Sequence, residues 1–372
     1  MKIGILTQPI HTNYGGILQA FALQTVLTRW GHEVYIVNRD NRTLMWLLIH
    51  RCIRFLCDMI GRDYILPMNN ELRLLQSEQR SFIEKELHLT SRVNTTRSLK
   101  KLCQSLNLQG YIVGSDQVWR PDYSPNIGNY FLDFVSSRQV FRVAYAASFG
   151  IENWTFSPSE TKRSKELLRL FDGISVREHS AVELCNRFLD VRAELVLDPT
   201  MLLDIDDYEK HCIESFSSGE LFCYFLDENE IKRQLISCVC AQTGLRHYFC
   251  MPAQKATTRN MRTNLDECIF PSVEKWLSSF KNARMIVTDS FHGCVFSIIF
   301  NKPFWACGNK ARGNSRFLSL LSLFGLEKRL IDLNEITDFD FNAPIDWETV
   351  NIRRKEMQVS SLRFLSVSLQ KS

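Results

Sequence analysis

One histidine, a few carboxylates and several arginines carry the chemistry open to this chain. His292 lies in the run Thr288-Asp289-Ser290-Phe291-His292-Gly293, between a short apolar strand at 284–287 and an apolar helix at 294–300. A polar turn at the carboxyl end of a strand, opening onto a helix, is where α/β proteins place ligands. Its free N–H groups and positive dipole end favour anions. An imidazole changes charge near neutral pH, so His292 suits general acid/base work or a phosphate contact. The plainer reading is a histidine that caps the helix and packs. Asp289 in this turn and Asp116 in Gly114-Ser115-Asp116-Gln117 read either as bases and hydroxyl contacts or as N-caps and turn formers.

Such residues need strands to deliver them. Residues 2–7 form a buried apolar strand, and a loop through Asn13, Tyr14, Gly15 and Gly16 leads to a helix at 17–30 and a strand at 33–38. This is a βαβ start without a full G-x-G-x-x-G, so the glycines point to close backbone approach rather than to a dinucleotide. Further strands are expected at 111–113, 142–148, 173–176 and 195–197, several ending in small or polar residues. After a polar stretch beyond Asp204 the pattern restarts, with strands at 221–226, 246–250, 284–287 and 303–306. A polar loop, 309–316, contributes Arg312 and Arg316, and a helix from about 347 to 369 ends the chain. The fold class expected is therefore α/β with two Rossmann-like domains. The first spans 1–203 with a helical insertion at about 41–105, the second 204–345, and a C-terminal helix fills 346–372.

Composition narrows the function. At 372 residues two domains are the natural expectation, and 45 % hydrophobic with 23 % charged residues is ordinary for globular chains. A net charge of +4 without a clustered basic face or a zinc-finger spacing argues against nucleic acid. The twelve cysteines include no C-x-x-C pair and lie mostly in apolar runs, which suggests free thiols in a reducing cytoplasm. The opening MKIGILT has no basic region and no long apolar core, so no signal peptide is expected.

Seven motifs occur in order: NYGGILQAFALQ, VGSDQVW, YAASFG, SVRE, LDPT, TDSFHG and RGNSRF. Together, from about residue 3 to about residue 330, they resemble the polysaccharide pyruvyl transferase family. The resemblance implies a glycosyltransferase-B-like arrangement, two Rossmann-like domains facing a cleft. It also implies transfer of the enolpyruvyl unit of phosphoenolpyruvate onto two hydroxyls of a sugar, giving a cyclic ketal and inorganic phosphate. That chemistry needs an acid for the enol carbon, a base for each hydroxyl, and cations for a donor of roughly three negative charges, which bidentate arginines match. By resemblance His292 and Arg177 stand at the donor; Arg312 and Arg316, by their position in the late basic loop, and Ser290 and Gly293, beside His292, are further candidate donor contacts. Some members carry arginine where this chain has Ser290, and the phosphate is then assigned to Arg177 with Arg316. Asn13, Tyr14, Gly15, Gly16, Ser115 and Trp119 are expected on the acceptor side, Trp119 by stacking on a sugar ring or else as core. Asp198 and Arg142 read as structural. No cofactor and no metal are expected, since arginines can meet developing charge.

The acceptor is expected to be a galactose-like or hexosamine unit, lipid-linked in one version, in capsular or exopolysaccharide assembly. In that version residues 44–60, a basic amphipathic stretch too charged to span a bilayer, would touch the inner membrane surface. The other reading packs this helix on its own domain. Two alternatives share the scaffold: a nucleotide-sugar glycosyltransferase and a non-catalytic glycan- or lipid-carrier-binding protein.

Overall fold

The computed structural model describes residues 1–40, 42–214, 219–308, 314–333, 336 and 339–370. Its strands form two wholly parallel sheets. The first holds β1 (Lys2–Leu6), β2 (Glu33–Ile36), β3 (Gly110–Val113), β4 (Phe141–Ala147), β5 (Gly173–Val176) and β6 (Glu194–Leu195), in the order β2-β1-β3-β4-β5-β6. The second holds β7 (Leu221–Tyr224), β8 (His247–Phe249), β9 (Met285–Thr288), β10 (Phe304–Cys307) and β11 (Leu330–Ile331), in the order β11-β10-β9-β7-β8. Helices cover both faces of a parallel sheet, so its central strands are apolar throughout. Accordingly β3, β7, β9 and β10 are buried at every residue.

The strand order explains where ligands can bind. Winding reverses between β1 and β3 in the first sheet and between β7 and β9 in the second. Each reversal opens a crevice beyond the carboxyl ends of those strands. The two crevices face one another: Asn13 after β1 and Asp116 after β3 share a cavity with Leu226 after β7 and His292 after β9.

The halves are joined by a continuous apolar core. Tyr14 stacks on Trp276 with ring centroids 5.1 Å apart, and its hydroxyl donates to the Pro271 carbonyl at 2.6 Å. The final helix, Trp347–Ser368, crosses back to the first half. There the Leu197 N–H donates to Ser361 Oγ at 3.0 Å, Gln358 donates to the Leu202 carbonyl at 2.9 Å, and Phe364 packs beside Tyr145. Arg142 is structural as expected, its backbone N–H on Asp172 and its guanidinium on the Val135 and Ser137 carbonyls.

Local differences from the sequence reading have physical causes. Within the helical insertion the segment 69–86 is two helices, Asn69–Leu75 and Ser77–Glu86. The Leu75 carbonyl takes the Phe270 N–H from the second half, while the Gln79 N–H turns to Gln76. The helix after β9 starts at Phe291 rather than 294, so His292 and Gly293 sit in its first turn. Gly293 permits this, since a Cβ there would lie 2.1 Å from Thr288 Oγ1. The helix after β1 likewise begins at Tyr14, with Asn13 at its N-cap. All twelve cysteines are free thiols. Among the described residues no helix is long and apolar enough to cross a membrane.

Candidate active site

Four of the motifs meet in one buried ionic network. Arg177, delivered by the end of β5, is 2 % exposed. Its Nη2 bonds Asp116 Oδ1 at 2.8 Å and its Nη1 bonds Asp198 Oδ2 at 2.7 Å, while Phe291 covers the guanidinium with Cζ 4.5 Å from the ring centroid. Asp198 also accepts from Ser115 Oγ at 3.0 Å and from the Thr200 hydroxyl at 2.8 Å. Glu178 ties in the YAASFG loop, accepting from Ser148 Oγ at 2.7 Å and from the N–H groups of Phe149 and Gly150.

Burial in such a site raises a carboxyl pKa and an opposed cation lowers it. For Asp116 burial is the largest single influence, yet Arg177, His292 and Arg316 together outweigh it and hold the carboxyl below its usual range. Asp198 is driven further down against the same desolvation, by His292 and Arg177. Desolvation opposes the charge on Arg177, but Asp116, Asp198 and Glu178 more than restore it and raise its pKa. All three groups are therefore ionised at neutral pH.

His292 stands where this network reaches the cleft. Its Nε2 lies 3.8 Å from Asp198 Oδ2, past hydrogen-bonding distance, and has no hydrogen-bond partner among the described residues. The other face of the ring meets the first half: a Cβ on Gly15 would fall 2.0 Å from His292 Nδ1. Gly15 thus makes room for the imidazole rather than for a ligand. Gly16 packs beneath the Asn13 side chain.

His292, Asp116, Arg316, Asn13 and Tyr14 line one cavity of about 410 Å³ between the sheets. Its size suits a small-molecule site. Arg316, in the first turn of the helix Ser315–Phe324, is 7 % exposed. Desolvation lowers its pKa first and the nearby charges of Arg177 and Arg120 add to this, while Glu178 and Asp116 oppose it. Asp289 and Ser290 lie on the same wall. Asp289, however, is bound by Lys232 Nζ at 2.5 Å and by the Leu226 N–H at 2.7 Å. Those contacts make it a clamp on the loop after β7, and they compete with any role as a base.

Several expected contacts are corrected. Arg177 does not line the cavity; its guanidinium is spent on Asp116 and Asp198. Ser115 is wholly buried, on Asp198 and the Ala146 carbonyl. Trp119 is core, stacked on Phe131 at 5.3 Å with its indole N–H on the Tyr130 carbonyl. Gly293 packs on Thr288 behind the wall. Arg312 lies outside the described residues. Asp198, expected to be structural, is the hub beside His292 and the N-cap within LDPT. One residue went unnoticed. Tyr123 lines the cavity, half exposed, with the Arg120 guanidinium 4.1 Å from its ring centroid.

Paired parallel sheets with opposed carboxyl ends and a polar cleft between them define the glycosyltransferase-B class of folds. Solved structures agree. UGT89C1 of Arabidopsis thaliana, complexed with UDP-L-rhamnose, is similar over 98 % of this chain and 97 % of its own, with TM-score 0.51 and 10 % identity. UDP-GlcNAc 2-epimerase from Neisseria meningitidis, bound to UDP-GlcNAc, is similar over 99 % of each chain, with TM-score 0.52 and 9 % identity. No curated protein matches the chain in sequence. Residues 13–311 match the family model for polysaccharide pyruvyl transferase, and the chain belongs to that family of enzymes.

Proposed function

We propose that the cleft performs ketal pyruvyl transfer, with phosphoenolpyruvate held against Arg316 and activated by His292. The observation that carries this reading is the convergence of His292 and Arg316 on one cavity, in a chain matched to the family over residues 13–311. Protonated His292 delivers its proton to the methylene carbon of the enol, and the cation formed at the neighbouring carbon is attacked by the first sugar hydroxyl. The proton of that hydroxyl returns to the imidazole. Phosphate then leaves as the second hydroxyl adds to the same carbon, and the second proton departs with phosphate. Asp116, kept ionised, accepts hydrogen bonds but is too weakly basic to abstract protons well. It therefore orients a hydroxyl. Tyr123 offers a stacking face to a sugar ring, which Trp119 in the core does not.

The acceptor in this proposal is a galactose-like or hexosamine unit on a lipid-linked intermediate of capsular or exopolysaccharide assembly. The enzyme would work from the cytoplasm at the inner membrane face, without a cofactor. The exposed apolar helix Leu44–Met59 supports the lipid linkage.

Because the structural neighbours were solved with UDP-sugars, ligand choice is the direct test. A ligand at a hundred times its Kd adds about 2.7 kcal/mol to native stability. Phosphoenolpyruvate is expected to raise Tm and UDP-sugars to leave it unchanged. The reverse result would assign the cleft to a nucleotide-sugar reaction.

A further inference from the structure

The helix Leu44–Met59 is turned inside out relative to an ordinary surface helix, which faces its apolar stripe inward. Met45, Leu48, Phe55, Leu56, Met59 and the adjoining Ile60 are all exposed, Met45 at 71 % and Phe55 at 65 %. At 3.6 residues per turn they occupy one face about 140° wide. The side turned toward the protein carries the helix's polar contacts along with Trp46, Leu47 and Cys57: Arg54 pairs with Glu71 at 2.7 Å, and His50 packs against Trp46 and bonds the Tyr64 hydroxyl. A contiguous apolar patch of this kind marks an interaction surface.

Charge indicates what covers it. Arg51 borders the apolar face and Arg62 follows its end, both exposed. Exposed Arg259 and Arg262 stand on the segment held against the end of this helix and the turn after it, where Asp58 pairs with Arg262 at 3.0 Å. We propose that the helix is an in-plane anchor, seated in the headgroup layer of an anionic bilayer with its apolar face toward the acyl chains. Wide apolar faces fringed by arginine bind lipid surfaces in this way. Pairing with a second copy of the chain would put the same cationic fringe on both sides of a two-fold interface.

The anchor is fastened to the cleft. The Tyr64 carbonyl accepts from the Thr258 N–H at 2.9 Å and from its hydroxyl at 3.1 Å, and Asp63 accepts from the Arg259 N–H at 3.1 Å. This segment runs on to Phe270, which lines the active-site cavity and donates its N–H to Leu75 at 3.0 Å. A docked helix therefore holds the cleft mouth at the lipid surface. Delivery of a lipid-borne sugar to that mouth rests on the pyruvyl-transfer reading; the membrane contact itself does not.

The test is co-sedimentation of the full chain with phosphatidylcholine vesicles, with and without phosphatidylglycerol, beside phosphoenolpyruvate binding and sedimentation equilibrium. Wild type is expected to partition onto the phosphatidylglycerol vesicles. Leu48→Glu/Leu56→Glu should abolish this, and Arg51→Glu/Arg62→Glu should weaken it about tenfold or more. Tm and phosphoenolpyruvate binding should be unchanged in both. Wild type left in the supernatant, or variants that sediment as wild type does, overturns the proposal. A dimer without vesicle binding, dissolved by Leu48→Glu/Leu56→Glu, overturns it in favour of a second copy.

Discussion

Gly15 and His292 touch across the two halves, so closely that a single methyl group on residue 15 would lie 2.0 Å from the imidazole Nδ1. The catalytic candidate of the second sheet is thus positioned by the first turn of the first helix. Gly15→Ala must displace the ring by more than an ångström to reach ordinary contact distance. Displacements of that size cost on the order of 10²-fold in rate, and overpacking costs roughly 1–3 kcal/mol. The expected outcome is a fall in kcat with a folded protein and near-normal donor affinity. Unchanged kcat would mean that the ring's place is immaterial.

Arg177 and Arg316 should separate cleanly. Arg177→Ala leaves Asp116 and Asp198 buried without their cation, a loss on the order of 3–5 kcal/mol. It should show first as a large drop in Tm. Arg316→Gln removes a charged contact to the donor, on the order of 1.5–3 kcal/mol, or about ten- to a hundredfold in Kd. Calorimetric titration with phosphoenolpyruvate, read beside Tm, distinguishes the two. A stable Arg177→Ala protein with lost donor binding would restore Arg177 to the donor site.

Acid should weaken the fold through Asp116 and Asp198. Both native carboxyls titrate below their ordinary range, so near and below the unfolded value of about 4 the unfolded chain holds more protons than the native one. Their stabilisation is complete above that range and is lost as pH falls through it toward the native values. The Tm gap between wild type and Asp198→Asn should be constant from pH 7 to about 5 and should narrow below about 4. A gap that does not change down to pH 3 contradicts this account of the network.

Tyr123 should affect the acceptor alone. It is half exposed and its side chain makes no hydrogen bond among those described, its contact being the Arg120 guanidinium over the ring, so Tyr123→Ala should shift stability by no more than about 1 kcal/mol. Loss of a stacking face is worth about 0.5–1.5 kcal/mol, roughly two- to tenfold in the acceptor KM. A matching change in the KM for phosphoenolpyruvate would place the ring elsewhere.

The strands were legible because parallel buried strands read as unbroken apolar runs, as in Tyr111-Ile112-Val113 and Met285-Ile286-Val287. Side-chain direction beyond a turn was not. Asp116 has a left-handed φ of 71°, and the chain leaving it points Trp119 into the core while Tyr123 reaches the cleft. Nor does a spacing reveal that Arg177 is already satisfied, since Asp116 lies 61 residues away and Asp198 lies 21. The stripe at 44–60 showed a helix that must meet something apolar, and both its readings were open. Only the fold reveals that the stripe faces outward.

The central claim is tested most directly by mass spectrometry of a panel of lipid-linked and nitrophenyl sugars incubated with the enzyme and phosphoenolpyruvate. The prediction is a product heavier by one carboxyethylidene group, formed with stoichiometric release of phosphate and absent with folded His292→Ala. Turnover retained in that variant, or no donor-dependent mass gain on any sugar while a nucleotide-sugar is consumed, would contradict it.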